Sequence, residues 1–217
     1  MNALLAGRWS PSIFDPTHEI DDAQVDAMLT AAQWAPSAGN SQPWAYVVCR
    51  RDSDNHKRFV QYLSRGNAGW VPRASVVFVA LCQTATDPIP DAPVYSDYAE
   101  YDAGQAAAHL TLQARELGLE THQFAGFDHA GVTEEFEIPS HFKVLVAIAV
   151  GRHATPDQVA AADVRDQERE SRPRARRPVR LFGSVGESDG GVVRDDPAIV
   201  RSFNHDRNVT DYPALTL

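Results

Sequence analysis

The sequence predicts an α+β fold, and three observations predict it. Residues 75–82 (SVVFVALC) and 143–150 (KVLVAIAV) are apolar and rich in β-branched side chains, as strands covered on both faces are. Two other stretches, 20–34 and 101–117, repeat apolar residues at helical spacing. Helices and strands therefore intermix, yet without the tight β-α-β rhythm of a doubly wound domain. No G-x-G-x-x-G turn and no P-loop follows a strand, which argues against the common Gly-rich nucleotide sites.

Each element has a local reason. Asp21-Asp22-Ala23-Gln24 places an acid at a helix N-cap with Gln three residues on, a capping arrangement. Ile20, Val25, Met28, Leu29 and Ala32 then line one helical face, and Pro36 ends the helix near Trp34 or Ala35. Residues 46–49 predict a short buried strand and 54–63 a helix. The proline-rich stretch 83–97 predicts a loop or lid. The second long helix carries Ala103, Ala106, Ala107, Leu110, Ala114 and Leu117 on one face, with Gly118 placed to cap it. No internal repeat is present.

Composition narrows the function. The 217 residues suit one domain or two small ones, and 43% hydrophobic content supports a core. A formal charge of −9 argues against a nucleic-acid partner. Cys49 and Cys82, far apart in predicted strands, form neither a disulfide framework nor a metal spacing, and the histidines show no ligand spacing. A reducing, cytoplasmic setting is expected. The opening MNALLAGRWSP has no sustained apolar stretch before Arg8, and the apolar runs are far too short for a bilayer. Neither a leader nor a membrane anchor is therefore expected.

Two stretches carry candidate chemistry. APSAGNSQPW, residues 35–44, gathers Ser37, Asn40, Ser41 and Gln42 around two prolines and a glycine. These are ordinary turn residues, but Asn40 and Gln42 can each both donate and accept hydrogen bonds. The arginine-rich stretch 163–180 predicts either a solvated, partly disordered segment or an anion site. Arg174 and Arg176 alternate across Ala175, so an extended chain would turn both guanidiniums toward one phosphate. Residues 187–217 are acidic and weakly patterned, and predict an arm or tail.

Four segments, taken in order, resemble the FMN-dependent nitroreductase family. Arg8-Trp9-Ser10-Pro11-Ser12-Ile13-Phe14 looks like its Arg-x-Ser-x-(Arg/Lys)-x-Phe signature. Residues 36–44 are similar to its opening loop. Residues 102–119, followed by Phe124-Ala125-Gly126-Phe127-Asp128, form the third segment, and Arg174-Ala175-Arg176-Arg177-Pro178 the fourth. The resemblance runs from residue 8 to about 185. It implies a central, mostly antiparallel sheet flanked by helices, in an intertwined homodimer with a C-terminal extension. Residues 1–186 would form the FMN-binding domain, 187–217 the arm, and 179–185 an edge strand on the partner's sheet.

The resemblance also implies roles. Arg8, Ser10, Arg174 and Arg176 would meet the FMN phosphate, with Trp9 and Ser12 completing the signature. Pro36, Ser37, Asn40 and Gln42 would hold the ribityl chain and ring edge, with Phe124, Ala125 and Gly126 over the ring and a backbone N–H at flavin N5. NAD(P)H would supply hydride, and a nitroaromatic, quinone or enone-like acceptor would receive it in a ping-pong scheme. The flavin would carry the chemistry, with no catalytic side chain and no metal. A non-catalytic FMN-storage protein and flavin-fragmenting or reductively dehalogenating enzymes are the alternatives. Two positions depart from the family pattern. Ser12 stands where relatives carry a second basic residue, and Ala125 where many carry Glu. Tyr95, Tyr98 and Tyr101 are candidates for the acceptor channel or for a solvent-facing helix start. Trp70 is a candidate for the channel or for the core.

Overall fold

The computed structural model describes residues 1–176. Two compact units are distinguished, Met1–Glu170 and one that begins at Ser171. Every helix and strand among the described residues belongs to the first. The boundary expected after residue 186, the edge strand at 179–185, Arg177, Pro178 and the 187–217 arm lie outside the described residues.

The sheet has four antiparallel strands: β1 (Trp44–Arg50), β2 (Val76–Gln83), β3 (Glu120–Phe124) and β4 (Phe142–Gly151), in the order β1-β2-β4-β3. The two apolar runs are its central strands, and both of their faces are covered. Val77, Val79 and Leu81 join Phe59, Trp70, Phe124 and Phe127 on one face. Val76 and Phe78 face the other side, where they meet the helices α2 (Asp22–Gln33) and α4 (Ala99–Glu116). The period-two alternation survives in direction but not in polarity, because neither face meets water.

The helices follow their local signals. Asp21 accepts from Gln24 N–H and the Gln24 side chain accepts from Asp21 N–H, so the expected capping box starts α2. On α4, the alanine face (Ala103, Ala106, Ala107, Leu110, Ala114) is buried within the protomer. The opposite face leaves Tyr101, Gly104 and Ala108 exposed. Gly118, at φ +74°, closes the helix in a conformation that suits glycine. The shorter helices are α1 (Ala3–Gly7), α3 (Asp54–Phe59), α5 (His129–Glu135), α6 (Pro156–Ala160) and α7 (Val164–Glu170). The expected 54–63 helix tightens to a 3-10 turn after Phe59.

Two expectations change. Residues 120–124 form an edge strand that no apolar period announces. Residues 164–170 form α7, which buries Asp166 and leaves Val164, Arg165 and Glu168 exposed, so this part of the charged stretch is helical.

The N-terminal segment is stitched to the end of β4. Phe14 bridges to His153, and Asp15 N–H donates to Arg152 O at 2.9 Å. The Asp15 carboxylate accepts from the Thr17 hydroxyl, Thr17 N–H and Gln158 at 2.7, 2.9 and 3.0 Å. These bonds lower its pKa to about 2. A depressed carboxylate contributes stability above its ordinary value of 3.8 that is lost as pH falls through about 2. Asp15→Asn is therefore expected to flatten the acid limb of the stability curve between those values, read by urea denaturation at a series of pH. An unchanged acid limb would contradict this assignment. Among the described residues, no helix is long and apolar enough to cross a membrane.

Candidate functional site

The polar loop 36–42 is wound through unusual backbone. Gly39, Asn40 and Gln42 have φ of +59°, +57° and +50°. Such angles are costly outside glycine and persist where neighbours over-determine them. Here the neighbours are explicit. Ala38 N–H donates to Asp102 Oδ2 of α4 at 2.9 Å. Gln42 N–H donates to Ser37 Oγ at 3.1 Å, and Gln42 Nε2 to Asn40 O at 3.2 Å. Tyr95 O–H donates to Ser41 O at 2.7 Å. The Asn40 and Gln42 side chains stay exposed. Pro36 and Ser37 border a cleft of about 330 Å³ with Tyr98, Tyr101, Asp102 and Gln105. The Tyr95 hydroxyl thus works as a tie for the loop, while Tyr98 and Tyr101 stand open to solvent.

Asp102 is 2% exposed, an acid retained in a buried position to hold a loop amide. Asp102→Ala leaves that amide without its partner and is expected to cost about 1–3 kcal/mol. Asp102→Asn keeps an acceptor oxygen and should recover most of the loss. Equal losses in the two variants, read by urea denaturation, would contradict the tie.

The N-terminal signature builds a second cleft. Arg8 Nη1 donates to Ser10 Oγ at 3.1 Å, and both residues line a cavity of about 310 Å³ with Leu5, Thr111, Thr121 and Gln123. Behind them the chain is held from two sides. The Ser12 and Ile13 amides donate to Glu170 Oε1 at the end of α7. Glu170 Oε2 lies 3.2 Å from His153 Nε2, and Trp9 sits edge-on to that imidazole. On the other side His122 Nδ1 is 2.8 Å from Pro11 O. Burial pushes the His122 pKa down, so a neutral ring donating through Nδ1 fits this contact.

Ser12 is buried in the protomer. It is 2% exposed, and its amide is taken by a carboxylate of this same chain.

Trp70 takes the core alternative, and the Phe124 side chain packs beside it. Trp70 is 1% exposed, stacked on His122 at 4.4 Å, with its N–H donated to Asn67 Oδ1 at 3.1 Å. It is a core residue and cannot wall a channel. The Phe124 ring packs on Trp70 and Phe59 at 5.4 and 6.4 Å, so only its main chain is available to a ligand. Beyond it Ala125 is exposed and Gly126 half-buried. The carbonyls of this turn are satisfied. Gly126 O accepts from Ser64 N–H at 2.9 Å and Asn67 Nδ2 at 3.0 Å. Ala125 O accepts from Phe127 N–H at 3.0 Å and lies 3.2 Å from His129 Nε2. The Ala125 and Gly126 amides donate to no acceptor among the described residues.

Gln123 joins two parts of this surface. It lines the Arg8–Ser10 cleft and also a neighbouring cleft with Glu100, His129 and Lys143. The cleft beside loop 36–42 shares none of those lining residues. Asp102 and Thr111, which mark the two sites on α4, are about 13 Å apart along the helix axis. Arg8, Ser10 and Gln123 therefore share one cleft, and loop 36–42 borders another. Arg174 and Arg176, in the second unit, are both exposed and flank buried Ala175, the alternation their spacing predicts. Arg176 Nη1 donates to Ala175 O at 2.7 Å. Asn67, His122, Gln123, His129 and Glu170 escape a sequence reading, because their roles exist only once distant segments meet.

Comparisons with known proteins agree on one relationship. Residues 5–152 match the Nitroreductase family. A Streptomyces coelicolor protein with a provisional NADH dehydrogenase/NAD(P)H nitroreductase name is 30% identical over 153 residues, spanning 63% of this chain and 75% of that one. The oxygen-insensitive NAD(P)H nitroreductase of Salmonella typhimurium is 28% identical over 171 residues, 74% of this chain and 76% of that one. A crystal structure of an oxidoreductase containing FMN superposes with a TM-score of 0.78 at 31% identity, over 88% of this chain and 94% of that one.

Proposed function

This chain belongs to the nitroreductase family, and from that membership we propose an NAD(P)H-driven, FMN-dependent oxidoreductase acting on a small organic acceptor. The acceptor class is nitroaromatic, quinone or enone-like, and nicotinamide and acceptor use one face of the site in turn. When bound, FMN supplies the two-electron chemistry that links the two substrates. The protein supplies binding, orientation and electrostatics.

The donor set fits the cofactor. FMN presents a charged phosphate, a hydroxylated chain and a ring edged with donors and acceptors. Arg8, already bonded to Ser10, offers a cationic donor for the phosphate. The Asn40 and Gln42 carboxamides can both give and accept along a polar rim. The observation that best supports the reading is the Ala125–Gly126 turn, where two main-chain N–H groups donate to no acceptor among the described residues while the carbonyls of the same two residues are satisfied. A fixed amide donor of this kind can stabilise charge on a bound ring without a titrating side chain.

The separation of the two half-sites along α4 supports a second copy as the source of loop 36–42. The exposed Gly104 and Ala108 of α4 offer small residues for such an approach. Tyr98 and Tyr101, beside the loop, are proposed as acceptor-channel residues.

The test is spectroscopic. The purified protein, given FMN at micromolar concentration, is expected to bind it and show a perturbed flavin spectrum. Anaerobic NADH or NADPH should then bleach that spectrum, and a quinone or nitroaromatic should restore it. Binding without bleaching would favour the storage alternative. No binding at all would overturn the proposal.

A further inference from the structure

His129 opens α5, and both of its ring nitrogens face carbonyl oxygens. Nδ1 lies 3.2 Å from Val144 O, and Nε2 lies 3.2 Å from Ala125 O. A neutral imidazole carries one N–H, so it satisfies one of these acceptors and turns a lone pair on the other. The imidazolium donates to both. The ring also lies flat on Phe127, with centroids 4.1 Å apart and planes 6° apart, a face that favours a cation.

The carbonyl under Nε2 belongs to the turn on which the cofactor site depends. In a trans peptide the C=O and the following N–H share one plane and point opposite ways. Ala125 O already accepts from Phe127 N–H. A second donor from His129 fixes the plane and aims Gly126 N–H away from both. A charged donor on the carbonyl also polarises the peptide and strengthens that N–H as a donor.

We propose that doubly protonated His129 is a positioning residue: it orients and polarises the Ala125–Gly126 peptide, so that FMN binding through Gly126 N–H weakens when His129 loses a proton. The proposal rests on the FMN reading above. The charged and titratable surroundings come from four sides. Lys143 of β4 and Glu100 of α4 line the cleft beside the ring and pair with each other at 2.7 Å. Asp128 precedes His129 and caps Gly131 N–H at 3.1 Å. Tyr62 lies under the start of α5, with its hydroxyl donated to Glu135 at 2.9 Å.

The test has an arm without cofactor. In the FMN-free protein, the Gly126 amide and His129 ring ¹⁵N resonances are followed against pH. They are expected to titrate with one midpoint, and the Gly126 response should vanish in His129→Gln. In the second arm, FMN affinity of the wild type is expected to fall about tenfold across that midpoint, while His129→Gln stays flat. A Gly126 amide indifferent to His129, or a His129→Gln variant that keeps the wild-type pH profile, overturns the proposal. Coupled titration in a protein that refuses FMN would support the positioning role and overturn the cofactor reading, so the two failures are distinguishable.

Discussion

Glu170→Ala is expected to destabilise the protein by about 2–5 kcal/mol and to weaken FMN binding at least tenfold. The carboxylate accepts from Ser12 and Ile13 amides, and both residues are 2% exposed. Water cannot easily replace a lost acceptor at such depth, so two buried donors are left unsatisfied. The consequence spreads because these amides belong to the Arg8–Phe14 segment. Arg8 and Ser10 reach their cleft from a chain held in place by Glu170 on one side and His122 on the other. Glu170→Gln separates geometry from charge, since its amide oxygen can still accept from both amides. That variant should keep most of the stability lost in Glu170→Ala. If alanine and glutamine behave alike in urea denaturation and FMN titration, the clasp is not what positions the signature.

Gly126→Val is the second large effect. A side chain at Gly126 would meet Asn67 Nδ2 at 2.5 Å and Ser64 Oγ at 2.8 Å, closer than real contacts allow. Asn67 must then move, and it carries two bonds. Its Nδ2 donates to Gly126 O, and its Oδ1 accepts the N–H of buried Trp70. Overpacking and an unpaired indole together are expected to cost about 2–4 kcal/mol. FMN affinity should fall by at least tenfold, because the turn carrying the unspent amides is pushed out of place. Pairing Gly126→Ala with Asn67→Ser removes the nearest obstacle and should restore part of the affinity lost in Gly126→Ala alone. Wild-type affinity in Gly126→Val would remove this turn from the cofactor site.

The parts of the fold that could be read from the sequence are those with local causes. The Asp21–Gln24 capping box depends on residues three apart, and the period of α4 on residues three or four apart. The strands at 76–83 and 142–151 could be read because burial on both faces demanded apolar residues throughout. Strand Glu120–Phe124 could not. It is an edge strand whose buried Glu120 pairs with Arg115, so charge and polarity mask its period. Helix α7 was hidden for a similar reason. Its one buried residue, Asp166, is an acid paired with Arg169, and Glu170 accepts from main-chain amides well over a hundred positions away.

The site divides in the same way. Loop 36–42 was visible because its polar residues are contiguous and its backbone demands turn chemistry. The signature at residues 8–14 was visible as a pattern, but its support was not. Nor did the pattern show that Ser12 is buried with its amide held by Glu170. Trp70 was ambiguous for a physical reason, since a large aromatic beside a glycine-rich turn suits a core or a channel equally well. The stack on His122 decides for the core.

The central claim, that one FMN is held by the N-terminal signature of one copy and the polar loop of another, is tested most directly by mixing subunits. Arg8→Ala/Ser10→Ala disables the signature, and Asn40→Gly/Gln42→Gly strips the loop side chains without straining positive φ. Each variant alone is expected to bind no FMN. Unfolded together in equal amounts and refolded, they should recover about one quarter of the wild-type flavin sites, because half the dimers are mixed and each mixed dimer has one intact site. A mixture that binds no FMN, while wild type refolds fully under the same conditions, would contradict the claim.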